Sequence, residues 1–272
     1  MLLPAERTCF CLSHVSNLPS LAWRVEKKRA IGLSLMADTL ARFVIWYAVF
    51  IFSVTFHEFA HSLVAYLGGD STAYEGGSMT LDPAPHMKRE PWGMVVWPLL
   101  SFFFAGYMIG WASAPVDPRW MSRHPKRGAL MAAAGPAANF ILAGIAFGLS
   151  FWLISDGILV LEFAGQPGQF FAPGEGYGGS AAFNALSMGL SVMLMLNIIL
   201  GVFNLIPAPP LDGATVIEGL FPRTLGQFIY RIRTSPLLGL LAFLFAYQAS
   251  SYLFMPLLNI ALVQLSHAQL LG

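Results

Sequence analysis

The sequence predicts an all-α membrane protein with about four membrane-spanning helices. Its 272 residues are 56% hydrophobic and only 11% charged, whereas an ordinary soluble domain carries about 25% charged residues. Its mean hydropathy is +0.64. Four apolar runs are each long enough to cross a bilayer as a helix, which takes ~20 residues; they cover residues 39–67, 128–155, 182–206 and 234–266. The fold class is therefore polytopic, and the lipid bilayer is an expected partner.

Net charge and cysteine content exclude other classes of protein. The net charge is +1, and no basic run alternates with aromatic residues, so nucleic-acid binding is not expected. The two cysteines, Cys9 and Cys11, are separated by one residue. A pair this close does not clamp a fold, so the sequence predicts no disulfide framework.

The first 35 residues differ from the rest of the chain. Residues 1–35 mix basic side chains with short apolar stretches and lack the pattern of a signal peptide. Met36 lies just before the first long apolar run, and a translation start there would explain the change. We expect residues 1–35 to be a poorly ordered N-terminal extension and residues 36–272 to form a single domain.

The apolar runs end in different ways. The run 39–67 stops at Gly68-Gly69, a typical helix end. The run 182–206 leads directly into a proline-rich segment, whereas the run 234–266 contains Pro256. Because this last run is long for one straight span, it is either a kinked helix or a span followed by an interfacial segment.

A motif with metal-ligand spacing lies in the last third of the first run. It reads His57-Glu58-Phe59-Ala60-His61. On a helix, residues four apart share one face, so both imidazoles can reach the same zinc ion. Glu58 lies beside the first ligand, where it can accept a proton from water at the metal. The motif therefore predicts one zinc ion per chain, with Glu58 as the catalytic base.

The third protein ligand is predicted to come from a second motif. Two histidines leave a tetrahedral zinc site short of a protein ligand. Asp212 lies just past the run 182–206, after Pro207-Ala208-Pro209-Pro210, and ionisable groups next to membrane spans are costly and usually functional. An aspartate after a proline turn can also be a simple helix N-cap, but together with the two histidines Asp212 is the best candidate ligand.

Convergence of these ligands predicts the topology of the chain. The histidines lie near the C-terminal end of the first run, and Asp212 lies just past the end of the third, so both runs must end on the same side. The segment 68–127 then begins and ends on that side. Residues 92–115, broken by prolines and glycines, should therefore enter the membrane and return, packed against protein.

Loop charges predict which side this is. The loops 116–127 and 218–233 carry an excess of basic residues, whereas the loop 156–180 carries only acidic charges. By the positive-inside rule, the metal site faces the cytoplasm.

Three motifs together resemble the site-two protease family of intramembrane zinc metalloproteases. They are the two-histidine motif, Gly135-Pro136-Ala137-Ala138-Asn139, and the segment from Asn204 to Gly213. The layout, without an inserted PDZ or CBS domain, is similar to the compact bacterial branch of that family. The resemblance covers roughly residues 40–220.

The resemblance implies a zinc metalloendopeptidase in a bacterial cell membrane. Its substrates would be membrane proteins, cleaved within or next to their transmembrane segments. The resemblance also implies that Asn139 and Asn204 hold the substrate backbone or stabilise the oxyanion, whereas the residues alone favour interhelical hydrogen bonding equally. We expect residues 78–81 to form a short strand near the active site, whose edge could hold an extended substrate.

A non-catalytic membrane metal-binding protein or metal carrier is the alternative. A carrier is expected to place ionisable residues along a path through the membrane, whereas here they cluster at one depth. His86 and His124 lie in polar loops without ligand spacing, and we expect both at the surface.

Overall fold

Long apolar helices dominate the fold. The computed structural model describes residues 18–163, 165 and 167–271, and within these residues four helices are long and apolar enough to cross a membrane. They are α1 (Leu18–Leu67), α6 (Pro125–Ser155), α7 (Ala181–Asn204) and α10 (Pro236–Leu271). The predicted all-α polytopic class, with about four membrane-spanning helices, is confirmed.

Shorter elements connect these helices. Before α6 lie α2 (Thr72–Glu75), α3 (Pro83–Arg89), a π-helical turn (Trp92–Val96), α4 (Trp97–Ala105) and α5 (Pro118–Arg123). Between α6 and α7 lie the strands β1 (Leu159–Leu161) and β2 (Phe171–Pro173), and between α7 and α10 lie α8 (Asp212–Leu220) and α9 (Leu225–Thr234).

Contacts divide the described residues into two compact units, one that ends at Arg42 and one that begins at Phe43. Residues 18–35, for which we expected little regular structure, belong to α1. Residues 1–17, with Cys9 and Cys11, lie outside the described residues. The division of the chain into an extension up to residue 35 and a domain from residue 36 stays a prediction.

Within the second unit, α6 and α7 pack closely. A Cβ atom at Gly201 of α7 would lie 2.9 Å from the ring of Phe140 on α6, so this ring fills the space that the glycine leaves. One apolar cluster joins α6, α7, α10 and the two strands through Ala146, Leu159, Phe171, Leu194 and Leu265. A second cluster joins α1 to α4 and α7 through Trp46, Phe50, Phe102 and Val192. The second cluster holds the middle of α1 beside α7, and a third cluster packs Ala65 at the end of α1 against Met131 of α6.

Residues 92–115 run out and back, as their prolines and glycines predicted. Gly106 ends α4 in the left-handed conformation, at φ 79°, which favours glycine. The chain then returns without regular secondary structure. The Trp111 amide donates to the Gly93 carbonyl at 3.1 Å, so the return lies beside the start of the outward arm. Its path into a membrane stays a prediction.

The predicted strand at residues 78–81 is wrong. The Ser78 and Met79 amides both donate to the Ala73 carbonyl, at 2.8 and 3.2 Å, so these residues close a turn after α2. The strands of the fold are β1 and β2, which pair antiparallel with Val160 opposite Ala172. They lie between α6 and α7 in the chain, and the Phe171 amide donates to the Ser191 hydroxyl near the middle of α7 at 3.1 Å. The small β element is therefore formed by β1 and β2 and not by residues 78–81.

The two loop histidines differ in their surroundings. His124 is exposed, as expected. The surface placement of His86 is wrong, because this residue is only 1% exposed. Its Nε2 lies 3.2 Å from the Thr80 carbonyl oxygen, since α3 folds back on the turn that precedes it.

A hydrogen-bonded latch fixes the end of α1. One Asp70 carboxylate oxygen accepts from the Thr72 amide and the other from the Asp117 amide, both at 2.9 Å. The Gly68 carbonyl at the end of α1 accepts from the Trp120 indole and from the Arg127 guanidinium, both at 3.0 Å. These bonds tie the C-terminal end of α1 to the start of α6.

Candidate active site

Helix α1 presents both predicted histidine ligands on one buried face. His57 and His61 are each 6% exposed, and Glu58 between them is also buried. The four-residue spacing places the two rings one turn apart, with the Nε2 atoms 2.9 Å from each other. The pair faces α6, where Asn139 lies behind His57 and the Met131 carbonyl behind His61.

Asp212 joins the histidines from the start of α8. The Asp212 Oδ2 atom lies 3.1 Å from Nε2 of His57 and 3.2 Å from Nε2 of His61. Prolines end α7 and remove backbone donors, and the Leu211 amide donates to the Ala208 carbonyl at 2.9 Å. Gly213 lies so close to the Leu205 carbonyl that a Cβ atom would collide with it. The chain therefore turns sharply, which directs Asp212 back toward α1.

The three groups form a triangle suited to a metal ion. Their ligand atoms lie 2.9, 3.1 and 3.2 Å apart. A tetrahedral zinc with bonds of ~2.0–2.2 Å separates its ligand atoms by roughly 3.3–3.6 Å, which small shifts here would reach. Among the described residues, this trio is the group found that could hold a metal ion.

Hydrogen bonds at Nδ1 hold the histidine rings. Nδ1 of His61 lies 2.8 Å from the Met131 carbonyl oxygen, and Nδ1 of His57 lies 2.5 Å from Oδ1 of Asn139. With an acceptor at each Nδ1, both rings carry hydrogen there and direct the lone pair of Nε2 toward Asp212. Three acceptor atoms thus converge on one point, and such an arrangement is typical of a cation site.

Asp212 is the acidic member of this group of three side chains. Burial raises the pKa of its carboxyl group, but the adjacent His61 and His57 rings, when they are protonated, lower it more and hold it well below its usual range. The group is therefore ionised at neutral pH, as a metal ligand requires. Its side chain is partly exposed, so the site is open at the edge that Asp212 forms.

Gly135 brings α6 into contact with the ligands. A Cβ atom at this position would lie 2.5 Å from Nε2 of His57 and would collide with Nε2 of His61 as well. Only hydrogen therefore fits on this side of the triangle. Pro136 follows, and its ring removes one backbone donor from the interior of α6.

Comparison with known proteins identifies the family. A sequence model described as peptidase family M50 matches residues 45–246, which is more than half of the chain. The chain belongs to peptidase family M50. This is the site-two protease family that the three motifs resembled, so the resemblance is confirmed.

Two curated relatives of this M50 peptidase carry zinc metalloprotease names. YwhC from Bacillus subtilis (strain 168) is 34% identical over 213 residues, which cover 77% of this chain and 83% of YwhC. Rip2 from Mycolicibacterium smegmatis is 25% identical over 178 residues, which cover 65% of this chain and 57% of Rip2. No solved structure matches the chain. Family membership and the donor set together support zinc as the cofactor.

The two predicted asparagines of this M50 chain differ in their placement. Asn139 is fully buried behind His57, and its amide nitrogen donates to Oδ1 of Asn197 at 2.8 Å. Both ends of the Asn139 amide are thus engaged within the protein. Asn204 is partly buried and donates to the Leu200 carbonyl of its own helix at 3.0 Å. A substrate or oxyanion role for either residue stays a prediction.

Sequence reasoning missed Asn197, whose side chain is fully buried next to Asn139. The signal was present, because Asn197 is a polar residue inside the charge-free run 182–206, where such residues usually hydrogen-bond between helices. The Met131 carbonyl that holds His61 left no such signal, because a backbone carbonyl is common to every residue.

Proposed function

We propose that this M50 peptidase is an intramembrane zinc metalloprotease that hydrolyses peptide bonds within or next to the transmembrane segments of membrane proteins. The observation that carries the proposal is the buried triangle of His57, His61 and Asp212 with Glu58 beside it, on a helix long and apolar enough to cross a membrane. A zinc site at the membrane surface or in a soluble domain would not need this placement.

Each residue has a defined part in the reaction. His57, His61 and Asp212 would hold the zinc ion, which when bound supplies a Lewis acid for the scissile carbonyl and for the attacking water. Glu58 accepts the proton of that water and delivers it to the leaving amine as the peptide bond breaks. The open edge at Asp212 gives the substrate a way to the ligand cluster.

Membrane burial also constrains the substrate. A transmembrane helix hides its carbonyl groups in its own hydrogen bonds, so the scissile bond must leave the helical conformation before attack. Such a segment needs hydrogen-bond partners while it is extended. Asn204, which is the last residue of α7 before the proline turn and is partly exposed, is the residue we propose to contact the extended substrate.

Loop charge supports a cytoplasmic active site in the cell membrane. Gly219 of α8 lies so close to the Pro125 carbonyl that a Cβ atom would collide with it, so α8 packs on the start of α6. The basic residues Arg123, Lys126 and Arg127 therefore lie at the same end of the bundle as Asp212. By the positive-inside rule, we propose that this end faces the cytoplasm.

A comparison of proteolysis in cells tests the proposal. Membranes of cells that express the wild type should release fragments of membrane proteins that were cut within or next to a transmembrane segment. Membranes of cells that express Glu58→Gln should not release these fragments. Glu175→Gln is the matched control, because Glu175 is exposed in the loop between β2 and α7. Identical fragment sets from wild type and Glu58→Gln would instead favour a non-catalytic metal-binding protein or a carrier.

A further inference from the structure

We propose that Asn197 is a positioning residue that, through Asn139, determines which nitrogen of His57 carries hydrogen and so keeps Nε2 free for zinc. This inference rests on the proposed zinc site. It adds a residue of α7 that touches neither the ligand cluster nor the reacting atoms.

The three side chains form one continuous buried path. Asn139 and Asn197 are both 0% exposed. Oδ1 of Asn139 lies 2.5 Å from Nδ1 of His57, and Nδ2 of Asn139 lies 2.8 Å from Oδ1 of Asn197. Nδ2 of Asn197 in turn lies 2.9 Å from both the Ser53 hydroxyl and the Met193 carbonyl oxygen. The path thus runs from α7 through α6 to the first histidine on α1.

The Met193 carbonyl sets the direction of every bond in this path. A backbone carbonyl can only accept a hydrogen bond. The Asn197 atom 2.9 Å from it must therefore be the NH₂ group, because a carbonyl oxygen there would place two acceptors together. Oδ1 of Asn197 then faces Asn139 and can only accept.

The same reasoning continues to His57. Because Asn197 presents an acceptor, Asn139 must turn its own NH₂ group toward it, and its Oδ1 is then left facing His57. Nδ1 of His57 must donate to that oxygen, so the ring hydrogen lies on Nδ1. The lone pair of Nε2 then points at Asp212 and His61, which is the arrangement that metal binding requires.

The two histidines depend on different kinds of acceptor. His61 donates to the Met131 carbonyl, which belongs to the helix backbone and cannot turn around. His57 donates to a side-chain amide, which can rotate by half a turn and present NH₂ instead of oxygen. Asn197 prevents that rotation, so His57 is the ligand whose hydrogen position depends on a residue elsewhere in the fold.

Removing Asn197 should therefore weaken zinc binding without touching the ligands. In Asn197→Leu, the NH₂ group of Asn139 loses its acceptor and can turn toward His57, which then carries hydrogen on Nε2. Loss of a partner behind a ligating histidine typically lowers metal affinity ~10–100-fold. The measurement is the zinc dissociation constant of the full chain in detergent, by competition with a chelator of known affinity.

Ser53→Ala is the matched control. It removes one acceptor of the Asn197 amide, but the carbonyl and the sulfur of Met193 remain, and the carbonyl still fixes the orientation of Asn197. Zinc affinity should therefore stay within a few-fold of the wild type. A loss in Ser53→Ala as large as in Asn197→Leu would overturn the proposal, because both would then act through packing.

A second-site change separates positioning from packing. Asn139→Asp places a carboxylate behind His57, which can only accept and cannot present a donor in either orientation. Adding it to Asn197→Leu should restore most of the lost zinc affinity. A packing role for Asn197 predicts no restoration, and that result would overturn the proposal.

Asn197→Asp gives an independent result if Asn197→Leu does not fold. Its carboxylate keeps an acceptor for Asn139, so zinc affinity should stay within a few-fold of the wild type, less than the loss expected from a missing partner, even if the thermal midpoint falls. A larger loss of affinity would overturn the proposal. Failure of the zinc site itself is distinguishable, because His57→Ala would then leave zinc affinity unchanged.

Discussion

Gly135 shows how little room the ligand cluster leaves at the residue scale. Hydrogen is the only side chain that fits between α6 and the two histidines, since a Cβ atom would lie 2.5 Å from Nε2 of His57. Gly144 lies on the same helix, but a Cβ atom there would meet nothing within 4 Å. The two positions therefore form a matched pair.

Gly135→Ala is predicted to lose zinc while Gly144→Ala keeps it. The new methyl group must push the imidazoles aside, which spoils a site whose bonds tolerate little change in length. Gly144→Ala should be neutral or slightly stabilising, by about 0.5–1 kcal/mol, because alanine favours the helix. Zinc content of the purified variants is the measurement. Equal zinc content in both would contradict the close approach of α6.

The ligands themselves give a second prediction at this scale. Purified wild type should hold about one zinc ion per chain, as a single tetrahedral site implies. His57→Ala and Asp212→Ala should lose it, because each removes one of the three donor groups in the triangle. His124→Ala is the control, since His124 is exposed and outside the cluster. Full zinc content in both ligand variants would rule out this ligand set.

The cluster of His57, His61 and Asp212 was predictable from the sequence, but the residues that pack behind it were not. Spacing alone assigned His57 and His61 to one helix face, and the proline turn singled out Asp212. The role of Asn139 behind His57 depends on how α6 is rotated against α1. Side-chain packing decides that rotation, and the apolar pattern of a buried span does not encode it because all faces are apolar.

At the scale of elements, the latch at Asp70 holds the end of α1 in place. Asp70 is 4% exposed, and its two oxygens accept amides from opposite sides of the loop. Burial raises the pKa of this carboxyl, but its hydrogen bonds with Thr72 and Asp117 lower it more, and the net pKa lies below the ordinary value. The ionised form is therefore the one that the fold stabilises.

Asp70→Asn is predicted to destabilise the protein. Its NH₂ group must face either the Thr72 or the Asp117 amide, which leaves a buried donor without an acceptor at a cost of about 1–3 kcal/mol. Asp82→Asn is the control, because Asp82 is an exposed N-cap of α3 and asparagine caps equally well. Unfolding by denaturant in detergent is the measurement. Equal stability of the two variants would show that the latch contributes nothing.

The out-and-back path of residues 92–115 gives a prediction about topology. Lys88 and Ser122 lie on either side of this segment and are both exposed, so cysteines there should react with an impermeant thiol reagent from the same face of the membrane. Glu175→Cys should react from the opposite face. Cys9 and Cys11 are replaced first. Labelling of residues 88 and 122 from opposite faces would show that the segment crosses.

Some of the short elements could be predicted from the sequence and others could not. The out-and-back segment followed from its prolines and glycines together with the convergence of the ligands. The strand at 78–81 was wrong because its amides bond within a local turn, at the Ala73 carbonyl. The strands β1 and β2 were missed because three-residue strands carry too little alternation to show a period.

At the scale of the whole molecule, the site depends on three elements that are distant in the sequence. Helix α1 supplies His57, Glu58 and His61, α6 supplies the backing at Gly135 and Asn139, and α8 supplies Asp212. The multi-pass fold brings them together at the end of the bundle where α1 and α7 both end. The central claim is that this cluster uses Glu58 as a general base on a membrane-spanning substrate.

Reconstituted cleavage by Glu58→Gln tests that claim most directly. Glutamine keeps the size of the side chain but cannot accept the proton of water at neutral pH, and zinc should remain because Glu58 is outside the ligand triangle. Turnover of a membrane-spanning substrate in liposomes should fall by about 10²–10⁴-fold, with zinc counted on the same sample. Near wild-type turnover by a zinc-loaded Glu58→Gln protein would contradict the assignment of Glu58 as the base.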